Sequence, residues 1–201
     1  MKKRLTILGI LLALTCSVNQ VAAQTYIKLN GLYALVGLIN PAAEFTISPH
    51  STFQTEIVVS PWKEIGDNGK HMLFGIFMNE CRRYFRQHND GWYLAGNIGM
   101  MAFDMSKPEL RGGKIQLENR YCKGYGLAGL AVGYEYKFKE RWLLDAYFGW
   151  SYMASWYNGY SLDGEIDMNP HRPTTPPHPN PWNGSAEWLP NKIGVSIGLL
   201  I

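Results

Sequence analysis

The sequence predicts an all-β fold, an eight-stranded antiparallel up-and-down barrel with a polar, filled lumen, and three observations carry that expectation. Eight strand-like runs follow one another, at residues 25–37, 39–48, 52–61, 71–86, 92–104, 124–138, 141–156 and 188–201. Several alternate bulky apolar residues with small or charged ones, the period of two that gives a strand two different faces. Short and long connections also alternate along the chain.

The first 23 residues stand apart from the fold. Lys2, Lys3 and Arg4 form a positive start, and Leu5 to Val18 is an apolar stretch too short to span a bilayer as a helix. Val21-Ala22-Ala23 then places small residues ahead of Gln24. That order is the layout of an export signal. The expected organisation is therefore a leader over 1–23 and one domain over 24–201. The leader takes three of the 19 Lys and Arg with it, leaving 16 against 16 Asp and Glu. The excess charge of +3 thus belongs to the leader, and a nucleic-acid partner is not expected. No run of 18 apolar residues exists in the domain, which excludes a membrane-spanning helix. Two cysteines, Cys81 and Cys122, do not make a disulfide framework, and their pairing stays open.

Taken in order, the first two runs are separated only by Gly37-Leu38, and the second and third by Pro49-His50-Ser51. The link then lengthens to Trp62–Lys70 and shortens again to Gln87–Gly91. It lengthens to Met105–Lys123, shortens to Lys139-Glu140, and lengthens to Tyr157–Glu187. Short turns at one end and long loops at the other are the pattern of a membrane barrel. The sixth run sets Leu130, Val132, Tyr134, Tyr136 and Phe138 on one face and Gly129, Ala131, Gly133, Glu135 and Lys137 on the other. The seventh sets Trp142, Leu144, Ala146, Phe148, Trp150 and Tyr152 against Leu143, Asp145, Tyr147, Gly149 and Ser151. The last sets Ile193, Val195, Ile197, Leu199 and Ile201 against Lys192, Gly194, Ser196 and Gly198.

Glycine weakens a strand unless something must approach the backbone closely. A face of glycines and isolated charges therefore suits a narrow lumen, with the bulky face turned to lipid. Aromatics fall toward two levels. Trp92, Tyr136, Phe138 and Trp142 lie by the short turns, and Trp62, Trp150, Tyr152 and Trp188 lie toward the long loops, as two interface girdles would. The expected location is a bacterial outer membrane.

The inner face collects Lys28, Glu44, Glu56, Glu80, Arg82, Glu135, Asp145 and Lys192. Such a set serves either acid–base chemistry or a salt-bridged filling. In a barrel of about eight strands, whose interior is just wide enough for side chains, the filling is favoured. An enzyme needs a nucleophile beside a base; His71 with Ser60 or Ser151 is the nearest candidate set, without a local motif, and no enzyme is expected. The proline-rich stretch 169–182 carries His171 and His178, a weak basis for a metal, so neither metal nor cofactor is expected. Lys107, Arg111, Lys114, Arg120 and Lys123 give the 105–123 connection a modest positive excess. Expected partners are outer-membrane lipid or lipopolysaccharide, and an envelope or surface-assembly protein met through 105–123 and 157–187. The function expected is structural or interactive. A narrow pore comes next, and a lipid-modifying hydrolase or acyltransferase last.

Short motifs recur in a fixed order: Lys28-Leu29-Asn30, Asn40 with Ala43-Glu44-Phe45, Ser60-Pro61-Trp62, and Glu80-Cys81-Arg82 with Tyr84. Gly129-Leu130-Ala131-Val132-Gly133-Tyr134, Arg141-Trp142 with Asp145, and Asn191-Lys192-Ile193-Gly194 follow. In this order and spacing the chain resembles the DUF3575 family. The resemblance implies a small outer-membrane barrel of the kind common in Bacteroidetes, with no established biochemical activity.

Overall fold

Backbone pairing closes the chain on itself. The computed structural model describes residues 24–65, 70–111, 114–160, 166–167 and 182–201. The strands are β1 (Thr25–Asn30), β2 (Pro41–Ser48), β3 (Ser51–Ile65), β4 (Lys70–Tyr84), β5 (Gly91–Arg111), β6 (Lys114–Lys139), β7 (Trp142–Tyr160) and β8 (Trp182–Leu200). A one-turn helix, α1 (Gly31–Leu35), follows β1. A two-residue strand, Ile166–Asp167, extends the ladder at the end of β7. Each long strand runs antiparallel to its sequence neighbours, and β1 pairs with β8 through Tyr26↔Leu200 to Asn30↔Ser196. The result is an up-and-down ring of eight strands with no open edge along its wall. Among the described residues no helix is long and apolar enough to cross a membrane, which leaves strand-crossing open.

Two boundary expectations are corrected. The first run does not continue as strand to residue 37. Asn30 accepts hydrogen bonds from the backbone N–H of Leu32 (2.9 Å) and Tyr33 (3.3 Å), capping a helical turn instead. The first link therefore spans residues 31–40 and is not the tight Gly37-Leu38 turn.

The long connections at the same end are also shorter than expected, because the strands run on. β3 reaches Ile65 and β4 begins at Lys70, while β5 and β6 pair as far as Arg111↔Lys114. Only Gly112-Gly113 separates those two residues, and they lie outside the described residues. Gly-Gly between two strands is a strong hairpin signal, while the charged, proline-containing flanks read as loop. β7 likewise pairs with β8 out to Asn158↔Trp182. Within the 157–187 connection, 161–165 and 168–181 lie outside the described residues, His171 and His178 among them, as does the leader 1–23.

One face of the wall points in and is buried; the other carries exposed large apolar side chains from every long strand. The interior is layered. Toward the short turns it is polar, with Tyr84, Tyr93 and Tyr147 packed around charged groups and small Ala95 and Ala131 beside them. Toward the other end Met78, Phe103, Leu127 and Met153 form an apolar layer. An inward-facing apolar layer excludes water from the charges beneath it, so those charges must satisfy one another.

Candidate functional site

The polar layer is built from alternate residues of seven strands. Lys28 (β1), Glu44 (β2), Glu56 (β3), Glu80 and Arg82 (β4), Glu135 (β6), Asp145 (β7) and Lys192 (β8) all lie inside the ring and are buried. The structure sorts them into two groups sharing a link. In the first, Arg82 Nη1 lies 3.0 Å from Glu44, 2.8 Å from Glu135 and 2.8 Å from Asp145. Lys28 Nζ meets the same three carboxylates: Glu44 and Glu135 in close ion pairs, and Asp145 at 3.0 Å. In the second, Lys192 Nζ lies 3.2 Å from Glu56 and 2.9 Å from Glu80. Arg82 Nε donates to Glu80 at 2.7 Å and joins the two groups.

Five carboxylates face three cations here, so neutral donors supply the rest. Tyr84 donates to Glu44 at 2.8 Å, Tyr93 to Asp145 at 2.9 Å, and Thr52 also donates to Glu44. Gln54 donates to Glu56 at 3.0 Å. Arg82 stacks over the Tyr93 ring, 4.6 Å from its centroid. Tyr93 in turn fills the space that a side chain at residue 133 would need: a Cβ on Gly133 would lie within 2.7 Å of its ring. This is the close approach for which the inner glycine is required.

The β4–β5 turn closes the short-turn mouth. Asn89 holds φ +57°, a left-handed conformation that asparagine tolerates better than most residues. From there its amide reaches down the lumen and donates to Glu44 at 3.1 Å and Glu135 at 3.0 Å. His88 contacts the Asn89 side-chain oxygen at 2.9 Å and Thr46 at 3.4 Å. Sequence reasoning missed Asn89 because a turn residue belongs to no alternating face; the Asn-Asp-Gly turn signature at 89–91 was the available clue. Thr52, Tyr84 and Tyr93 are neutral donors, which a pattern of inward charges does not reveal.

Glu44, Glu135 and Asp145 bring carboxylate oxygens within 4.8 Å of one another, a spacing that suits a cation. Lys28 and Arg82 already stand among them and supply that positive charge. Each of the Ser–His candidates engages another partner. Ser60 donates to the Met72 carbonyl, Ser151 donates to Asn97 at 2.9 Å, and His71 lies 3.7 Å from Asp104. Cys81 carries a free thiol on the outer face, and the side chain of Cys122 lies outside the described residues.

Trp92, Tyr136, Phe138, Trp142, Trp150 and Trp188 are exposed on the outside of the wall. Trp92 meets Tyr134 edge-on at 5.3 Å, and Tyr152 meets Trp188 at 5.5 Å. Trp62 departs from the belt. It shares the alternation register of Ser60, and its indole donates to the Val36 carbonyl at 3.2 Å, so it pins the first link at the mouth.

No curated protein matches the chain, and no solved structure does. A family model described as a protein of unknown function, DUF3575, matches residues 6–174. That match covers well over half of the sequence, and the chain belongs to the DUF3575 family.

Proposed function

We propose that the protein is a non-enzymatic outer-membrane barrel, with a structural or interaction role at the cell envelope exercised through its outer end. One observation carries the reading: the wall is inside-out relative to a water-soluble barrel. Ile27, Phe45, Ile57, Phe77, Leu94, Leu130, Phe148 and Val195, one from each long strand, are exposed on the outside, while eight charged side chains are buried within. An apolar surface encircling the whole molecule is far larger than a soluble monomer tolerates. In lipid a closed ladder also pairs the backbone of the wall internally, which an open sheet cannot do.

The short turns and both ends of the ring, Thr25 and Leu200, then face the periplasm, and the opposite end faces outward. There β5 and β6 continue as a two-stranded ribbon. The pairing of β4 with β5 stops at Met105 and that of β7 with β6 at Asn119, so 106–111 and 114–118 extend past both neighbours. Such a ribbon, with the 157–187 connection beside it, suits contact with lipopolysaccharide phosphates or a surface-assembly protein. The lumen, filled by cross-strand ion pairs and an apolar layer, argues for a closed barrel over a pore.

The test is cell fractionation with limited surface proteolysis. Recovery in the outer membrane, with cleavage confined to the outer connections, supports the reading. Recovery as a soluble periplasmic protein overturns it. Planar-bilayer conductance by the purified barrel would replace the structural role with a pore.

A further inference from the structure

The outer wall carries a groove of about 400 Å³ beside the β4–β5 turn, lined by Phe85, Arg86, Gly91, Trp92 and Tyr134. Its lower surface is aromatic: Phe85 is 70% and Trp92 58% exposed, and Trp92 and Tyr134 meet edge-to-face. Its turn-side edge is a guanidinium. Arg86 makes no ion pair among the described residues, and its Cδ lies 3.7 Å from where a Cβ on Gly91 would sit. Gly91 holds φ +86°, a conformation that glycine adopts without strain, so the Arg86 stem lies over bare backbone. The Arg86 carbonyl accepts a hydrogen bond from His50 of the neighbouring turn, which fixes the position of the backbone.

A cation at one edge of a groove lined by exposed aromatic side chains matches a molecule that is anionic at one end and apolar below it. The charge around the groove agrees. Arg83, Arg86, Lys137, Lys139 and Arg141 lie at this end of the wall against Asp90 and Glu140. We propose that this groove holds one glycerophospholipid of the periplasmic leaflet. Arg86 pairs with its phosphodiester, and Trp92 and Tyr134 carry its glycerol and upper acyl carbons. Arginine suits this task because its planar fork pairs phosphate oxygens two at a time. The inference rests on the membrane reading above and adds a defined lipid to it.

Native mass spectrometry of the full chain released from nanodiscs of phosphatidylethanolamine and phosphatidylglycerol tests it. The parent protein is expected to retain one phospholipid under activation that strips the rest. Arg86→Ala is expected to lower that retained fraction about tenfold, the size of one lost charged hydrogen bond. Trp92→Ala should lower it as well, and Lys139→Ala, on the same rim outside the groove, should leave it unchanged. Equal retention in the parent and Arg86→Ala overturns the lipid site alone. Failure of the parent to enter nanodiscs overturns the membrane reading with it.

Discussion

Arg82 of β4 reaches Asp145 of β7 across the lumen at 2.8 Å. Those strands are not neighbours in the ring, so the contact ties together two parts of the wall that backbone pairing leaves separate. Buried pairs of this kind are costly to assemble and far costlier to break, since removing one partner strands the other without water.

The first prediction concerns that stranding. Arg82→Ala leaves Glu44, Glu135 and Asp145 around Lys28 alone and takes a partner from Glu80. The folded barrel should lose about 3–5 kcal/mol. Arg82→Lys keeps the charge but loses the fork that spans Glu80 and the three-carboxylate group, so its loss should be smaller. Urea unfolding of the barrel in detergent measures both. A loss below about 1 kcal/mol for Arg82→Ala would show that the network is not a determinant of stability.

Asn89 contributes in two separable ways: its left-handed backbone, and its amide donors to Glu44 and Glu135. Asn89→Gly keeps the conformation and removes two hydrogen bonds to buried carboxylates, which should cost about 1–3 kcal/mol. Asn89→Ala adds roughly 1 kcal/mol of backbone strain. Unfolding midpoints should therefore fall in the order parent, Gly, Ala. A glycine variant as stable as the parent would mean that the turn closes the mouth without supporting the charges.

Gly133 and Gly96 look alike in the sequence and differ in their surroundings. A Cβ at Gly133 would overlap the Tyr93 ring, whereas at Gly96 it would meet nothing within 4 Å. Gly133→Ala must displace a ring that Arg82 and Asp145 both hold, and overpacking of this kind should cost about 1–3 kcal/mol. Gly96→Ala should be neutral or slightly stabilising through reduced unfolded-state entropy. The pair is best compared at one temperature by refolding yield. Equal yields would deny the close approach at Gly133.

What the sequence made legible follows from where alternation is strong. In β6, β7 and β8 a bulky residue at every second position leaves a single choice of face, because a one-residue slip would turn every side chain over. The ring exposes Leu130, Phe148 and Val195 and buries Glu135, Asp145 and Lys192 on that pattern. Alternation was silent elsewhere. Asn30 ends β1 through a cap formed by its own side chain, which no period of two records. The β5–β6 ribbon continues through Lys107, Pro108 and Glu109, residues whose composition reads as loop while their backbones stay paired. Which carboxylate meets which cation also lay beyond the sequence, since Lys28 and Asp145 are 117 positions apart and are joined only by ring closure.

The sharpest test of the wall itself uses Val195, exposed at 44% and paired with Ala146. Along β7, Ala146 stands midway between Trp142 and Trp150, so Val195 sits between the two aromatic levels. If water surrounds the wall, Val195→Arg replaces an exposed apolar side chain with an exposed charge and should change stability by less than about 0.5 kcal/mol. If lipid surrounds it, the charge is placed near the bilayer midplane and should cost about 2–4 kcal/mol. The same substitution at Trp188, in the outer girdle, should cost no more than about 1 kcal/mol of charge penalty by the same depth rule. Folding into lipid vesicles across a urea series distinguishes the two environments through the difference between these positions. The lipid-facing wall requires Val195→Arg to be the more costly of the two by at least about 1 kcal/mol, and equal costs would remove its support.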